Sequence, residues 1–147
     1  MSSIGRRLAL ILWELPQNAL GVANLAVNGA RRRVERIVLE RERVMIELGE
    51  DGAGVSLGAF VFWSRHDNPF VPVGPENRDH EYGHSRQSRL LGPMYLPLVG
   101  APSVARVMFA VAHRAVTGKR WAHYYDGYPE NWADRLGAAD RSLRPPP

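Results

Sequence analysis

The fold class is decided by residues 55–92, VSLGAFVFWSRHDNPFVPVGPENRDHEYGHSRQSRLLG. The first part, Val55–Trp63, is rich in β-branched and aromatic residues and predicts the best strand of the chain. Residues 64–75 contain three prolines and no hydrophobic periodicity, which is typical of a loop. Glu76–Leu91 has acidic residues in its first turn and stops at a Gly-Pro pair, so it predicts a helix. The domain therefore combines strands and helices.

The flanking segments extend this pattern. In residues 34–48, VERIVLERERVMIEL, the early part suits a helix, whereas alternation over 43–48 predicts a strand, followed by a turn at 49–54. Downstream, one helix is predicted from Ser103, as its N-cap, to Val116, and another from Pro129 to Leu136. This order of helix, strands and helices predicts an α+β domain with a small antiparallel or mixed sheet.

The length and composition of the chain indicate a single globular domain. The chain has 147 residues, of which 45% are hydrophobic and 23% charged, and this excludes wholesale disorder, a coiled coil and a multi-domain machine. It has no cysteine, so any metal must be held by His, Asp or Glu. The net charge of +4 is modest and no nucleic-acid motif is present, so no nucleic-acid partner is expected. We expect a single domain over residues 1–136 and a disordered tail over 137–147.

The N-terminal segment 8–27, LALILWELPQNALGVANLAV, is mostly apolar and is bracketed by arginines. Its length approaches that of a membrane span, but Glu14 and Pro16 near its centre oppose insertion. The short apolar run before Glu14 also fits a signal peptide poorly. The segment predicts a first helix that is broken near Pro16 and packed on the core, with peripheral contact to an anionic membrane as the alternative. A cytoplasmic or membrane-peripheral location is favoured.

The predicted helix 76–91 contains the pattern H-E-x-x-H in HEYGH, His80–His84. Residues four apart lie on one helix face, about 6 Å apart along the axis, so both histidines can bind one Zn²⁺. Zinc lowers the pKa of a bound water to about 7, and Glu81 is placed to accept its proton as general base. Gly83 costs this helix about 1 kcal/mol relative to alanine, which indicates a close neighbour over that turn.

A catalytic zinc site needs a third protein ligand and an open fourth position. Carboxylates and histidines downstream of the motif supply the candidates, which are His113, His123, Asp126, Glu130 and Asp134. Glu130 and Asp134 form E-x-x-x-D at the start of the last predicted helix, where this spacing places both on one face. We expect Glu130 to bind the metal and Asp134 to accept the free N–H of a zinc-bound imidazole. Asp126 and His123 are the alternatives for the third ligand.

HEYGH followed by ENWAD resembles the gluzincin group of zinc metallopeptidases, to which thermolysin and neprilysin belong. The resemblance implies a minimal zincin-like domain in which His80, His84 and Glu130 hold zinc. It also implies that Glu81 is the general base and that Asp134 orients a histidine. The chain departs from the large gluzincins because it is far shorter and has no separate C-terminal lobe. The blocks SLGAFVFW, HEYGHSRQSRLLGPMYLPLVGAPS and YYDGYPENWAD also resemble a family of small bacterial proteins.

The resemblance further implies how a peptide or protein substrate is bound. Zincins bind an extended peptide along an edge strand beside the site, and Val55–Trp63 is placed in the sequence for that role. The oxyanion formed during hydrolysis needs a donor, and the aromatic segment before the last helix offers one. We expect His123 and Tyr125 to act there, with Tyr124 and Tyr128 as further candidates.

Two alternatives to a gluzincin-like peptidase remain open. A non-catalytic binding or scaffold protein stabilised by zinc would carry the same ligand residues. An intramembrane zinc protease of the site-two kind is similar in its H-E-x-G-H helix, and Asp126–Gly127 could match its Asp-Gly ligand pair. However, the sequences ENRD and SRQSR on either side of the motif are too polar for a helix in a bilayer.

Overall fold

The chain folds around a four-stranded sheet. In this computed structural model, residues 3–50 and 53–143 are described. The strands are β1 (Val34–Glu40), β2 (Arg43–Leu48), β3 (Val55–Leu57) and β4 (Phe60–Trp63). Their order in the sheet is β1-β2-β4-β3, with β2 parallel to β4 and the two outer pairs antiparallel. The expected α+β class with a small mixed sheet is confirmed.

Helices flank this sheet. They are α1 (Ser3–Trp13), α2 (Leu15–Ala30), α3 (Asn77–Leu91), α4 (Ala101–Thr117) and α5 (Glu130–Gly137). Of these, α2 and α3 pack directly on the sheet. Between α3 and α4 the chain forms a 3-10 turn over Gly92–Met94 and a π-helical turn over Leu96–Gly100. The helices predicted over 76–91 and 129–136 are confirmed to within one residue at each end.

The segment that begins at Val34 is a strand, so the helix expected over its early part is wrong. It forms β1, which pairs with β2 as a hairpin. The turn consists of Arg41 and Glu42, whose φ angles of 51° and 59° give the left-handed conformation that tight hairpins require. The ladder of hydrogen bonds with β2 therefore outweighs the weak helix preference of the glutamates and arginines.

Val55–Trp63 is not one strand, as the sequence predicts, but a hairpin of β3 and β4. The chain reverses at Gly58, whose φ is 63°, and a Cβ there would lie 3.0 Å from the side-chain carbon of Asn18. Glycine is thus required by both conformation and space. Within this segment only β3 is an edge strand, and β4 lies inside the sheet, next to β2.

Both faces of the sheet are covered by apolar packing. On one face, Met45, Val61 and Trp63 contact Tyr82 of α3. On the opposite face, a second buried cluster contacts Leu25 of α2, and its members are Ile46, Leu48 and Phe62. Successive residues of β2 therefore pack alternately toward α3 and α2, as expected for a strand buried on both sides. The first face fixes the helix that carries the HEYGH motif.

The break between α1 and α2 lies at Glu14, next to Pro16, as the sequence predicts. Glu14 is only 1% exposed, and its carboxylate lies 3.4 Å from the guanidinium of Arg43 and accepts a hydrogen bond of 2.8 Å from Ser88. Arg43 also donates to Ser85 Oγ and to the Ser85 carbonyl, at 3.1 and 2.9 Å. This buried ion pair ties the N-terminal helices to α3 and β2.

The helix predicted from Ser103 begins earlier. Ser103 is the third residue of α4 and does not cap it, since Pro102 is accommodated in the first turn and the π-helical turn runs directly into the helix. At the other end, α4 stops at Gly118, whose φ is 72°. The helical segment Leu96–Thr117 is long and apolar enough to cross a membrane by length and composition, and 11% of it is buried.

α3 and α5 cross with their backbones in close contact. A Cβ at position 83 would lie 2.7 Å from the carbonyl carbon of Ala133 and closer still to its oxygen. A Cβ at position 137 would lie 2.8 Å from the carbonyl carbon of Asp79. Gly83 and Gly137 therefore allow an approach that side chains would prevent. The close neighbour expected over Gly83 is confirmed, and it is α5.

The C-terminal region differs from the disordered tail expected over 137–147. Gly137 is the last residue of α5, and Arg141–Leu143 form a 3-10 turn. Arg141 forms an ion pair with Asp134, which anchors this turn against α5. Residues 144–147 lie outside the part of the chain that the structure describes.

Candidate metal centre

α3 and α5 bring together the three residues that the sequence selects as metal ligands. Nε2 of His80 lies 3.1 Å from Oε2 of Glu130, and Nε2 of His84 lies 2.9 Å from the same oxygen. The three side chains are 3%, 5% and 0% exposed, and one potential ligand atom from each lies within 4.8 Å of the others. This buried group could hold a metal ion, as the sequence predicts.

The two imidazoles are oriented by partners on their other nitrogen. Nδ1 of His80 lies 2.6 Å from Oδ1 of Asp134, as expected, so that the N–H donates to a carboxylate. Nδ1 of His84 lies 2.7 Å from Oε1 of Gln87, whose amide nitrogen donates to the Pro129 carbonyl at 3.1 Å. With the Nδ1 atoms engaged in this way, the Nε2 atoms face the Glu130 carboxylate, and they are the ring atoms that would bind a metal.

Gln87 was missed by the sequence reasoning. Its position three residues after His84, on the same helix, was a signal for such a contact, since residues three apart are neighbours on a helix surface.

Glu130 is held in its ionised form. Its Oε1 accepts hydrogen bonds from Ser103 Oγ at 2.6 Å and from the Tyr124 hydroxyl at 3.4 Å. Burial alone would raise the pKa of Glu130, but hydrogen bonds and charge interactions with His80 and His84 outweigh it and lower the pKa well below 4.5. A carboxylate that stays charged when buried is suited to binding a cation. Ser103, predicted only as a helix cap, thus has a polar partner in the site.

Glu81 lies beside this cluster and is not one of the three converging groups. It is 6% exposed, and Ser56 Oγ of β3 lies 3.3 Å from its Oε2. A Cβ at position 54 would lie 2.5 Å from its Oε1, so Gly54 leaves the space that the carboxylate occupies. Burial, helped by the negative charge of Glu130, raises the pKa of Glu81 to about 7, although His84 and Ser56 oppose this. Glu81 can therefore exchange a proton near neutral pH.

Two cavities border the cluster. One has a volume of about 400 Å³ and lies under the loop 64–75, with His80, Glu81 and Tyr125 in its wall. The other has a volume of about 570 Å³ and lies between α2, β3 and α4, and all three candidate ligands and Glu81 line it. Glu81 and His80 are accessible from both cavities, so a reactant in either can reach them.

The two residues expected to stabilise an oxyanion are placed very differently. Tyr125 is 6% exposed and packs edge-on against the His80 ring, with centroids 5.1 Å apart. In contrast, the His123 side chain is 77% exposed, and its Nδ1 lies 2.6 Å from Oδ2 of Asp126, which is itself 68% exposed. Neither His123 nor Asp126 lines either cavity, whereas Tyr125 lines the smaller one. The structure does not bring His123 or Asp126 to the cluster, because their mutual ion pair faces outward.

The orientation of the aromatic segment explains this separation. Arg106 of α4 donates to the carbonyls of His123 and Tyr124 at 2.7 and 2.8 Å, which fixes the backbone of the segment. Tyr124 and Tyr125 then enter a buried cluster with Val71 and Val73 of the loop. With these two tyrosines directed inward, the preceding histidine points to the outside.

No known protein family, curated protein or solved structure matches this chain. The resemblance to gluzincins therefore rests on the motif residues alone, and the possible metal site rests on the geometry of His80, His84 and Glu130.

Proposed function

We propose that this chain is a zinc-dependent, metallopeptidase-like hydrolase in which His80, His84 and Glu130 hold the metal. The observation that carries the proposal is the convergence of two Nε2 atoms on one carboxylate oxygen, at 3.1 and 2.9 Å. Two imidazoles and one carboxylate are a ligand set typical of catalytic zinc, whereas calcium and magnesium prefer oxygen ligands alone. The Nδ1 partners of both rings support the same conclusion, since zinc-binding histidines usually have such partners.

A zinc ion at this position would supply Lewis-acid polarisation of a peptide carbonyl and would acidify the attacking water. The remaining work falls to residues of the chain. Glu81 accepts a proton from water as the oxygen attacks the carbonyl carbon, and it returns that proton to the amine nitrogen as the C–N bond breaks. Ser56 holds the carboxylate in place through the contact of 3.3 Å. Water and peptide are thus consumed and two shorter chains are released.

The substrate side of the proposal rests on the neighbours of Glu81. β3 is an edge strand of the sheet and lines the larger cavity together with Glu81, as peptide binding by strand addition requires. Tyr125 lines the smaller cavity next to His80, and Tyr124 lines both. We propose Tyr125 as the donor to the oxyanion, and His123 has no place in this proposal.

Metal binding is tested on the full chain after treatment with a chelator. Zinc content and affinity are measured by elemental analysis and calorimetry. Wild type should bind one zinc per chain, His84→Ala should abolish stoichiometric binding, and Glu130→Ala should weaken it severely. His113→Ala is the matched control, since His113 lies on α4 and contacts the Lys119 carbonyl. Equal zinc binding by the wild type and His84→Ala would refute the ligand set.

Hydrolysis is tested with a library of quenched fluorescent peptides. Glu81→Gln should retain zinc and reduce cleavage by about 10²–10⁴-fold, the usual contribution of a general base. His123→Ala, a change in an exposed side chain, should retain both zinc and cleavage. If zinc binds at one per chain but neither wild type nor Glu81→Gln cleaves any peptide, the alternative of a zinc-stabilised scaffold replaces the peptidase.

A further inference from the structure

Three helices present large apolar side chains to the outside. On α1 and α2, Leu12 is 67% exposed and Val22 is 57% exposed, and on α4, Met108 and Phe109 are 67% and 53% exposed. Single exposed apolar residues are common, but a continuous apolar surface marks an interaction site. We call the outward apolar side chains of α1, α2 and α4 the apolar face.

The distribution of polar and apolar residues on α2 is the opposite of that on a surface helix of a water-soluble domain. Its buried residues are polar or glycine, and they are Gln17, Asn18, Gly21 and Asn28. The side exposed to the outside carries leucine and valine instead, with Leu15 and Leu20 53% and 48% exposed. In a helix that packs its apolar stripe on a protein core, the opposite distribution is expected. The outward side of α2 therefore requires an apolar medium.

The exposed sides of α2 and α4 belong to one surface. Leu20 of α2 and Val104 and Met108 of α4 line the same cavity of about 570 Å³. One side of α4 is fixed to the protein, because Arg106 donates to two backbone carbonyls of the aromatic segment. Ala110 and Phe109 add contacts with the aromatic segment, but most of the apolar window in Leu96–Thr117 lies outside the packed interior, with 11% of it buried. The α2 and α4 parts of the apolar face thus line the cavity that reaches the candidate metal centre.

The charges around the apolar face are strongly asymmetric. Residues 3–33 and 96–125 contain nine of the 19 Lys and Arg residues but only one of the 15 Asp and Glu residues. That acid is Glu14, which is buried against Arg43. Arg6 and Arg7 are exposed at one end of the α1–α2 segment, where Arg6 also pairs with Glu42 of the β1–β2 turn, and Arg31 and Arg32 are exposed at the other. The partner of this face therefore combines an apolar interior with negative charge at its rim.

We propose that the apolar face is seated in the surface of a lipid bilayer that carries anionic headgroups. Apolar helix faces flanked by arginines bind such surfaces by burying apolar area and by attracting acidic lipids. A second copy of the chain fits less well, because a symmetric dimer would place the cationic rim of one copy against that of the other. The proposal does not depend on the metal, and its failure would leave the proposed hydrolase unaffected.

The test is co-flotation of the full chain with vesicles of phosphatidylcholine alone or of phosphatidylcholine and phosphatidylglycerol in equal parts. We expect the chain to float with both and more strongly with the anionic vesicles. Met108→Glu and Val22→Glu should each lower the bound fraction about tenfold or more, since a carboxylate opposes both apolar burial and anionic lipid. Leu143→Glu is the matched control, because Leu143 is also 53% exposed but lies beyond α5.

Folding of each variant is checked by circular dichroism. The double variant Arg6→Gln with Arg7→Gln adds a second, conservative test, and it should remove the preference for anionic vesicles while preserving the fold. The proposal is overturned if wild type does not float with either vesicle, or if Leu143→Glu impairs flotation as much as Met108→Glu. It is also overturned if, without vesicle binding, light scattering detects a dimer that Met108→Glu dissociates, which would assign the apolar face to a second copy.

Discussion

Replacing Gly83 with alanine tests whether the contact between α3 and α5 determines the candidate metal centre. Helix propensity alone predicts that the change stabilises α3 by about 1 kcal/mol. The new Cβ, however, would lie 2.7 Å from the carbonyl carbon of Ala133 and 3.0 Å from the amide nitrogen of Gly137. Ordinary carbon contacts are about 3.5–4.0 Å, so α5 must move away by about 1 Å.

This displacement sets the expected magnitude. Overpacking of a close contact costs about 1–3 kcal/mol, and here backbone atoms, which cannot rotate away, are displaced. With the upper end of that range, about 3 kcal/mol, and after the gain in helix propensity of about 1 kcal/mol is subtracted, Gly83→Ala should lower the free energy of unfolding by about 2 kcal/mol. Because α5 carries Glu130, the same movement should separate its carboxylate from the imidazoles. We expect zinc affinity to fall by about tenfold, the lower end of the losses seen when ligand positioning is disturbed.

The assays are urea denaturation of the metal-free chain and calorimetric titration with zinc. Gly29→Ala is the matched control, because Gly29 lies in α2 and a Cβ there would meet nothing within 4 Å. It should stabilise the chain by up to about 1 kcal/mol and leave zinc affinity unchanged. If Gly83→Ala stabilises the chain as Gly29→Ala does, α5 does not pack on α3 as described, and the argument for Glu130 as a ligand fails with it.

Three further predictions concern other parts of the structure. Asp134→Asn should lower zinc affinity about 10- to 100-fold in calorimetry, because it weakens the partner of the His80 ring, and unchanged affinity would contradict that role. In metal-free protein, Glu81→Gln should raise the free energy of unfolding by up to about 3 kcal/mol near pH 8 and hardly at all near pH 4.5. The reason is that burial raises the pKa of Glu81 from 4.5 to about 7, so its ionised form destabilises the folded state only as the pH rises through this range. Equal effects at both pH values would count against the raised pKa. Arg43→Ala should cost about 3–5 kcal/mol in urea denaturation by leaving Glu14 buried without its cation, and a loss below about 1 kcal/mol would show that water reaches the carboxylate.

The candidate ligands were predictable from sequence because their arrangement is mostly local. The helical repeat places His80 beside His84, and the same repeat places Asp134 one turn beyond Glu130. Only the contact between α3 and α5 joins segments that are distant in the sequence. Gly83 gave a physical clue to it, since a helix has no local reason to contain glycine at that position.

The parts that sequence reasoning missed depend on contacts between distant segments. Nothing near Ser103 indicates that its hydroxyl donates to Glu130, 27 residues away. Similarly, β1 has the charges of a helix surface, and it becomes a strand because the turn at Arg41–Glu42 pairs it with β2. The outward position of His123 follows from contacts of Arg106 and the neighbouring tyrosines with the rest of the fold. In each case tertiary contacts decide between locally similar alternatives.

The division of the candidate ligands between α3 and α5 has a consequence for the order of folding. His84 and Glu130 are 46 positions apart, and the intervening chain includes all of α4. Closing a loop of this length costs about 3 kcal/mol in chain entropy before any contact offsets it. The unfolded chain therefore offers no complete three-ligand site, and a metal ion bound by these residues would stabilise the domain only once α5 has docked on α3. Such an ion would then slow the opening of the C-terminal end of the domain.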